Sequence, residues 1–191
     1  MGISRDPDPS AARTRLRHSA SGQSVVEFAI VVPVIMLLLV GIADFGRLYT
    51  SAVAVEAATR EAADFGAFQA SNWSAANAST TVSLMEQRAC VAAAGSHLEG
   101  YRSSDPSNNT CTNPSFTCTL EHAGSSIDCA SSSGSVGGFD CSAPVAPGDT
   151  PCTVWVRLDY DFTTILGIPP LPSTIHLTRD SRFRVSDLTP P

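Results

Sequence analysis

Side chains able to do chemistry fall into three groups along the chain. Six cysteines, Cys90, Cys111, Cys118, Cys129, Cys141 and Cys152, are even in number and sit among Ser, Gly, Pro and Asn. That usage reads as disulfides in an oxidising compartment. Zinc would need close C-x-x-C pairs, and the shortest gap here is Cys111 to Cys118. Six cysteines allow 15 pairings, among which spacing does not choose. The histidines are His18, His97, His122 and His176. His97-Leu98-Glu99 and Pro151-Cys152 match halves of a zinc-deaminase signature, but Trp155 stands where the second cysteine of C-x-x-C belongs. Asp159 and Asp161 share one face of an alternating segment with Arg157, a pattern of a solvated charged surface more than of a calcium site. Nucleophile-elbow, phosphate-loop, dinucleotide and H-E-x-x-H motifs do not occur. No catalytic residue, cofactor or metal is expected, and the protein reads as a non-enzyme.

The third group is one carboxylate in an apolar run. Gly22-Gln23-Ser24-Val25-Val26-Glu27-Phe28 opens a segment that stays apolar to Ala43. A glycine lets a protease approach the backbone, and Glu27 is then the fifth residue of a product starting at Gln23. A charge at the centre of a membrane helix costs about 2.5–3.5 kcal/mol, and less near the interface. A freed α-amino group on the same or a neighbouring subunit would offset that cost. Gly22 and Gln23 are therefore candidate processing residues, and Glu27 a candidate assembly residue.

These residues require a membrane helix to position them. Residues 25–45 span about 30 Å at 1.5 Å per residue, enough to cross a bilayer. The uninterrupted run is longer than the h-region of a signal peptide, about 7–15 residues, and no small-x-small site closes it. Pro33 should kink the helix. Residues 1–22 form a leader with Pro7, Pro9 and four of the twelve arginines and almost no apolar residue, which predicts disorder. Arg13, Arg15 and Arg17 crowd the N-terminal flank, whereas Arg47 is accompanied by Asp44, so the N-terminus is expected in the cytoplasm and the body outside. The chain has no lysine and a formal net charge of −6. An acidic body disfavours a nucleic-acid partner.

Beyond the span, residues 44–70 are alanine-rich, with Phe45, Leu48, Ala52, Val55, Ala58, Ala62 and Phe65 at three- and four-residue steps. That stripe predicts continuation as one long amphipathic helix with its packing face on its own domain. Residues 81–94 predict a second helix. From Gly95 to Pro151 the chain is polar and carries five of the cysteines, so disulfides must supply its order; residues 116–120 suit a short strand. Residues 153–162 alternate strictly and residues 175–185 alternate with Arg179 and Ser181 on the inner face, predicting an antiparallel pair across a proline-rich loop. The fold class is α+β: a long N-terminal helix, membrane-spanning and continuing outside, packed on a small antiparallel sheet with a disulfide-rich loop region. The expected divisions are a leader at 1–22, the helix at 23–70, and an extracytoplasmic head at 71–191.

Gly22-Gln23, Glu27-Phe28, Pro33, Gly41, Asp44-Phe45-Gly46-Arg47 and the alanine-rich tail at 57–67 with Arg60 and Glu61 closely resemble the TadE-like pseudopilins of the tight-adherence (Tad, or Flp) pilus system. The first of these also resemble the prepilin-peptidase signature of type IV pilins. The resemblance covers about residues 22–67. It implies a bacterial, single-pass component of the cytoplasmic membrane or pilus, cut by a prepilin peptidase between Gly22 and Gln23. Glu27, Phe28 and Pro33 would then serve assembly. The implied partners are the lipid bilayer, the peptidase, and pilins and other pseudopilins of the Tad machinery, in support of pilus assembly and adherence. The six-cysteine head is not part of that pattern. A different class, a single-pass anchored binding module whose cysteine-rich segment recognises a ligand, fits the same composition; an exported hydrolase would need a Ser/His/Asp cluster that spacing does not reveal.

Overall fold

The computed structural model describes Gly2 and residues 10–186, except 75, 99, 132–134, 143, 144, 147, 166 and 168–171; over 10–21 and at 71 it describes the backbone element alone. The first element, α1 (Ser10–Ala67), is a 58-residue helix that includes Pro33. It begins inside the segment expected to be a disordered leader. Alanine, leucine and arginine there are strong helix formers, and extending an existing helix avoids the cost of nucleation. Residues 1 and 3–9 of that leader lie outside the described residues. Two compact units share α1, Met1–Asp44 and Phe45–Pro191.

Apart from Gly2, the described part of the first unit is helix, and its residues with described side chains form no core. The second unit is the α+β head. After α1 a 3-10 turn (Ala70–Asn72) leads to α2 (Ala78–Gly95). Eight strands follow: β1 (Arg102–Asp105), β2 (Thr110–Asn113), β3 (Ser115–His122), β4 (Ser125–Asp128), β5 (Ser135–Val136), β6 (Phe139–Asp140), β7 (Thr153–Thr163) and β8 (Thr174–Arg184). The main sheet has the order β4-β3-β7-β8, all neighbours antiparallel; β1-β2 and β5-β6 are separate two-stranded ribbons.

The central strand β7 organises the head. Val154, Val156, Leu158, Tyr160 and Phe162 are all fully buried and point to one face, as its period of two requires. Burial of each such side chain contributes about 1.5–3 kcal/mol. Against that face lie Val55, Ala58, Ala62 and Ala63 of α1 and Met85, Ala89 and Ala93 of α2. Small alanines let two helices approach one sheet closely. The tightest point is Gly66, where an added Cβ would stand 2.6 Å from Met85 Sδ and 3.4 Å from Val154 Cγ1.

The expected apolar stripe on α1 is met from Leu48 onward, but Phe45 is 68% exposed. Phe162 is the last inward-facing residue of β7, and the Arg47 guanidinium covers it at 5.3 Å, so no further inward side chain of β7 remains for Phe45 to pack on. The expected antiparallel pair at 153–162 and 175–185 forms as β7 and β8. The half-buried Arg179 and Ser181 of β8 face Leu158 and Val156, at the margin of the core.

Candidate functional site

The apolar part of α1 carries the sequence-expected site, and it is built from side chains with no partner surface in the described structure. An 18-residue stretch within Gly22–Ala67 has a mean hydropathy of 2.8 and none of it is buried. Val25, Phe28, Ile30, Leu37, Leu38 and Ile42 are among its exposed large side chains. In water, exposure of that much contiguous apolar surface is strongly unfavourable; in a bilayer it is the favoured state, and the helix satisfies its own backbone hydrogen bonds. This helix is long and apolar enough to anchor the chain in a membrane.

Within it, Gly22 is helical and exposed, with open space around the position a Cβ would take. The next residue, Gln23, donates its side-chain N–H to Glu27 Oε1 at 3.3 Å, one helical turn away. That bond gives the carboxylate one polar contact within its own helix. Phe28 is 69% exposed, and Pro33 is exposed inside a helix assigned continuously through it. One helix thus brings Gln23 and Glu27 together and leaves Glu27, Phe28 and Pro33 open to lipid or to another helix.

All six cysteines are paired: Cys90–Cys111, Cys118–Cys129 and Cys141–Cys152. Each is bonded to its neighbour in sequence. The first bond ties α2 to β2, the second ties β3 to the residue after β4, and the third ties the residue after β6 to the entry of β7. They staple the segment that could not order itself by apolar burial alone.

Several polar groups of the head are engaged with one another. On the outer face of β7 and β8, Arg157 Nη2 contacts Asp159 Oδ1 at 3.1 Å, the Thr178 hydroxyl donates to Asp159 at 2.5 Å, and His176 Nδ1 lies 2.5 Å from Asp161. The Trp155 indole donates to Asp180 at 3.1 Å and carries the Arg182 guanidinium 4.3 Å above its ring. Burial alone would raise the Asp159 pKa, but the Thr178 and Arg157 hydrogen bonds outweigh it and hold the carboxyl below the usual range. Among the described residues no three His, Cys, Asp or Glu side chains are grouped so as to hold a metal.

A polar cleft of about 360 Å³ at the β3–β4 turn is lined by Glu121, His122, Ser125, Ser126 and Arg184 among others. These are hydrolase residue types. His122, however, is stacked flat on Phe139 with ring centroids 3.9 Å apart, and Glu121 faces Arg182 at 3.6 Å. No hydrogen bond between a serine and His122 is present among the described contacts, so the nucleophile–base geometry of such enzymes is not assembled there.

Sequence reasoning treated Arg47 as a flanking charge and as part of the Asp44-Phe45-Gly46-Arg47 string, not as a packing residue. The structure places it over Phe162, beside Tyr160, whose hydroxyl hydrogen-bonds Ser51. It likewise missed Trp73, fully buried, whose indole N–H donates to Gly66 O at 2.8 Å and satisfies a carbonyl near the end of α1. The Arg47–Phe162 contact joins residues that only the packed core sets together, and the Trp73–Gly66 bond spans seven residues across the end of α1, where no repeating pattern marks it.

Fold and site together define a class: one apolar helix able to anchor in a membrane, carrying a disulfide-bonded α+β head. Residues 22–64 match the model of the family described as TadE-like protein. The match begins at the glycine before Gln23 and ends just short of Gly66. No curated protein and no solved structure matches the chain.

Proposed function

We propose that this protein is a non-enzymatic, membrane-anchored component of a Tad-type pilus assembly system. The observation that carries the reading is the coincidence of the TadE-like match with the exposed apolar helix and its single carboxylate, Glu27. The helix crosses the cytoplasmic membrane with its N-terminus inside, following the arginine flank. The head lies outside, where its three disulfides persist. A prepilin peptidase cuts between Gly22 and Gln23. Glycine supports that step twice, since it destabilises the helix by about 0.5–1 kcal/mol relative to alanine and leaves space beside the scissile bond. Glu27, with Phe28 and Pro33, then forms the lateral contact with pilins and other pseudopilins, where a neighbour's new α-amino group neutralises the carboxylate.

Two measurements test this. Intact mass of the membrane-extracted chain, co-expressed with a prepilin peptidase, should show loss of residues 1–22; retention removes the processing step. Glu27→Ala should leave the chain in the membrane and abolish pilus assembly. If assembly and adherence are unchanged in that variant, the chain is an anchored binding module and not an assembly component.

A further inference from the structure

β8 is an outer strand of the main sheet, and no described strand pairs with its far side. Its 11 residues form an unbroken ladder with β7, from Thr153↔Arg184 to Thr163↔Thr174. Two backbone bonds fix which groups that ladder uses. Val185 N–H donates to Cys152 O at 2.7 Å just past one end, and Thr164 N–H to Ser173 O at 3.0 Å just past the other. Bonded and non-bonded pairs alternate in an antiparallel ladder. The odd-numbered residues of β8 therefore turn their N–H and C=O to β7. Thr174, His176, Thr178, Asp180, Arg182 and Arg184 turn theirs to the open side. One of these groups is already taken, since Arg179 Nη1 donates to Thr178 O at 3.0 Å. From Asp180 to Arg184 the edge has no bulge, no proline and no backbone bond from a described residue on its open side.

The side chains beside that open stretch carry mostly one sign of charge. Phe45–Pro191 holds 8 arginines against 14 acidic residues, yet Arg179, Arg182 and Arg184 crowd the end of β8 with Asp180 alone opposing them. Asp180 already accepts from the Trp155 indole at 3.1 Å. Arg182 reaches Glu121 only at 3.6 Å, and the exposed Arg184 makes no ion pair with a described residue. The inner side differs. There Phe183, Val53 and Ala57 line a groove of about 450 Å³ against α1. Its carboxylates Glu56 and Glu61 are held by Arg60 and Arg88, and Asp64 adds a further negative charge. An incoming acidic side chain is thus favoured on the outer side of the edge and disfavoured on the inner one.

We infer that the open edge of β8 from Asp180 to Arg184 is an acceptor site for an extended, acidic segment of a partner protein. The segment adds antiparallel to β8, as every neighbour in this sheet does. Its backbone takes the N–H and C=O groups of Asp180, Arg182 and Arg184. Directly paired residues share one face of a sheet. Its acidic side chains therefore stand two positions apart, opposite Arg182 and Arg184, and the apolar residue between them lies beside Phe183 at the groove. The recognised pattern is acid–apolar–acid. A phosphate-bearing surface would meet the arginines but offer no donors to the edge carbonyls. A peptide strand satisfies both.

The test uses the full chain in detergent micelles and a fluorescein-labelled peptide amide, Glu-Val-Glu-Val-Thr-Val-Thr, read by fluorescence anisotropy. Its glutamates are spaced to meet Arg184 and Arg182, and a threonine falls opposite Asp180. Saturable binding is expected. Asp180→Pro removes an N–H that points to the open side and no bond to β7, a change that edge strands accept. It keeps all three arginines and deletes the one acid among them. Strand addition predicts binding weaker by about fivefold in that variant. Equal or tighter binding means that charge alone holds the peptide, and overturns the inference. A second arm alters only the peptide, and decides the matter if Asp180→Pro does not fold. In an antiparallel pairing the N–H groups of the glutamates face β8 and those of the valines face away. N-methylation at both glutamates should abolish binding, and at the first two valines should change it by less than about twofold. Equal effects of the two peptides overturn the inference, as does a lack of saturable binding up to about 1 mM.

Discussion

Glu27 is the single carboxylate of the apolar stretch at 25–43, and its one described partner is Gln23 a turn earlier. A carboxylate within a membrane helix is costly unless it meets a partner there, which is why the Glu27→Ala outcome bears directly on the assembly reading. In the head, ionisable groups set the pH response. Glu86 on α2 is raised above its usual pKa by burial, so ionising it opposes folding. Stability should therefore rise as pH falls through that raised value. Asp159 is held below the usual range, as are Asp105 by the Ser107 backbone N–H and Asp140 by the Ser142 hydroxyl and N–H. Their stabilisation is complete above the ordinary carboxylate range and is lost as pH falls through the depressed folded values. Thermal melts across pH should pass through a maximum near the ordinary carboxylate range. Glu86→Gln should flatten the neutral side of that maximum and Asp159→Asn should soften its acid side. A monotonic profile in the unsubstituted head would contradict both assignments. All three aspartates are substantially solvated, so each effect is small.

At the scale of elements, the disulfides and the helix–sheet contact divide the work of holding the head together. The Cys90–Cys111 bond closes a separation of 21 residues and the other two close 11 each. Loop-closure entropy gives about 3.3 kcal/mol for the longer loop and about 2.8 for the shorter ones. Replacing both Cys90 and Cys111 by Ala should therefore lower the denaturation midpoint at least as far as replacing Cys118 and Cys129, whose β3–β4 hairpin also has ladder hydrogen bonds. The reverse order would show that the α2–β2 tie is not a structural one. Gly66 is the other sensitive point. Gly66→Ala should cost about 1–3 kcal/mol through overpacking against the buried Met85, and Met85→Ala in the same chain should recover part of it. Fully additive losses in denaturant titrations would mean that the two residues do not meet. Helix, α2 and the strands at 153–162 and 175–185 were legible because their patterns are local and repeat over ten residues or more. The ribbons β1-β2 and β5-β6 and the strand β4 were not, since strands of two to four residues with mixed burial show no readable period.

Over the whole molecule, the amino-acid order alone determined that an apolar helix precedes a cysteine-stapled head, that Gly22 and Glu27 stand at TadE-like spacing, and that the helix carries a packing stripe beyond Asp44. Each of these is a property of near neighbours: hydropathy summed along one segment, side chains repeating every three or four residues, a fixed count between two positions. Tertiary structure alone decided which cysteines pair and that β3 as well as β8 flanks β7. It also decided that β7 runs antiparallel to the part of α1 beyond Asp44, so that Phe162 lies under Arg47 and Val154 near Gly66. Those facts depend on contacts between residues up to 115 positions apart, as with Arg47 and Phe162. Such contacts arise from the shared burial of β7 by two helices, and no local pattern in the chain encodes which residues that burial brings together.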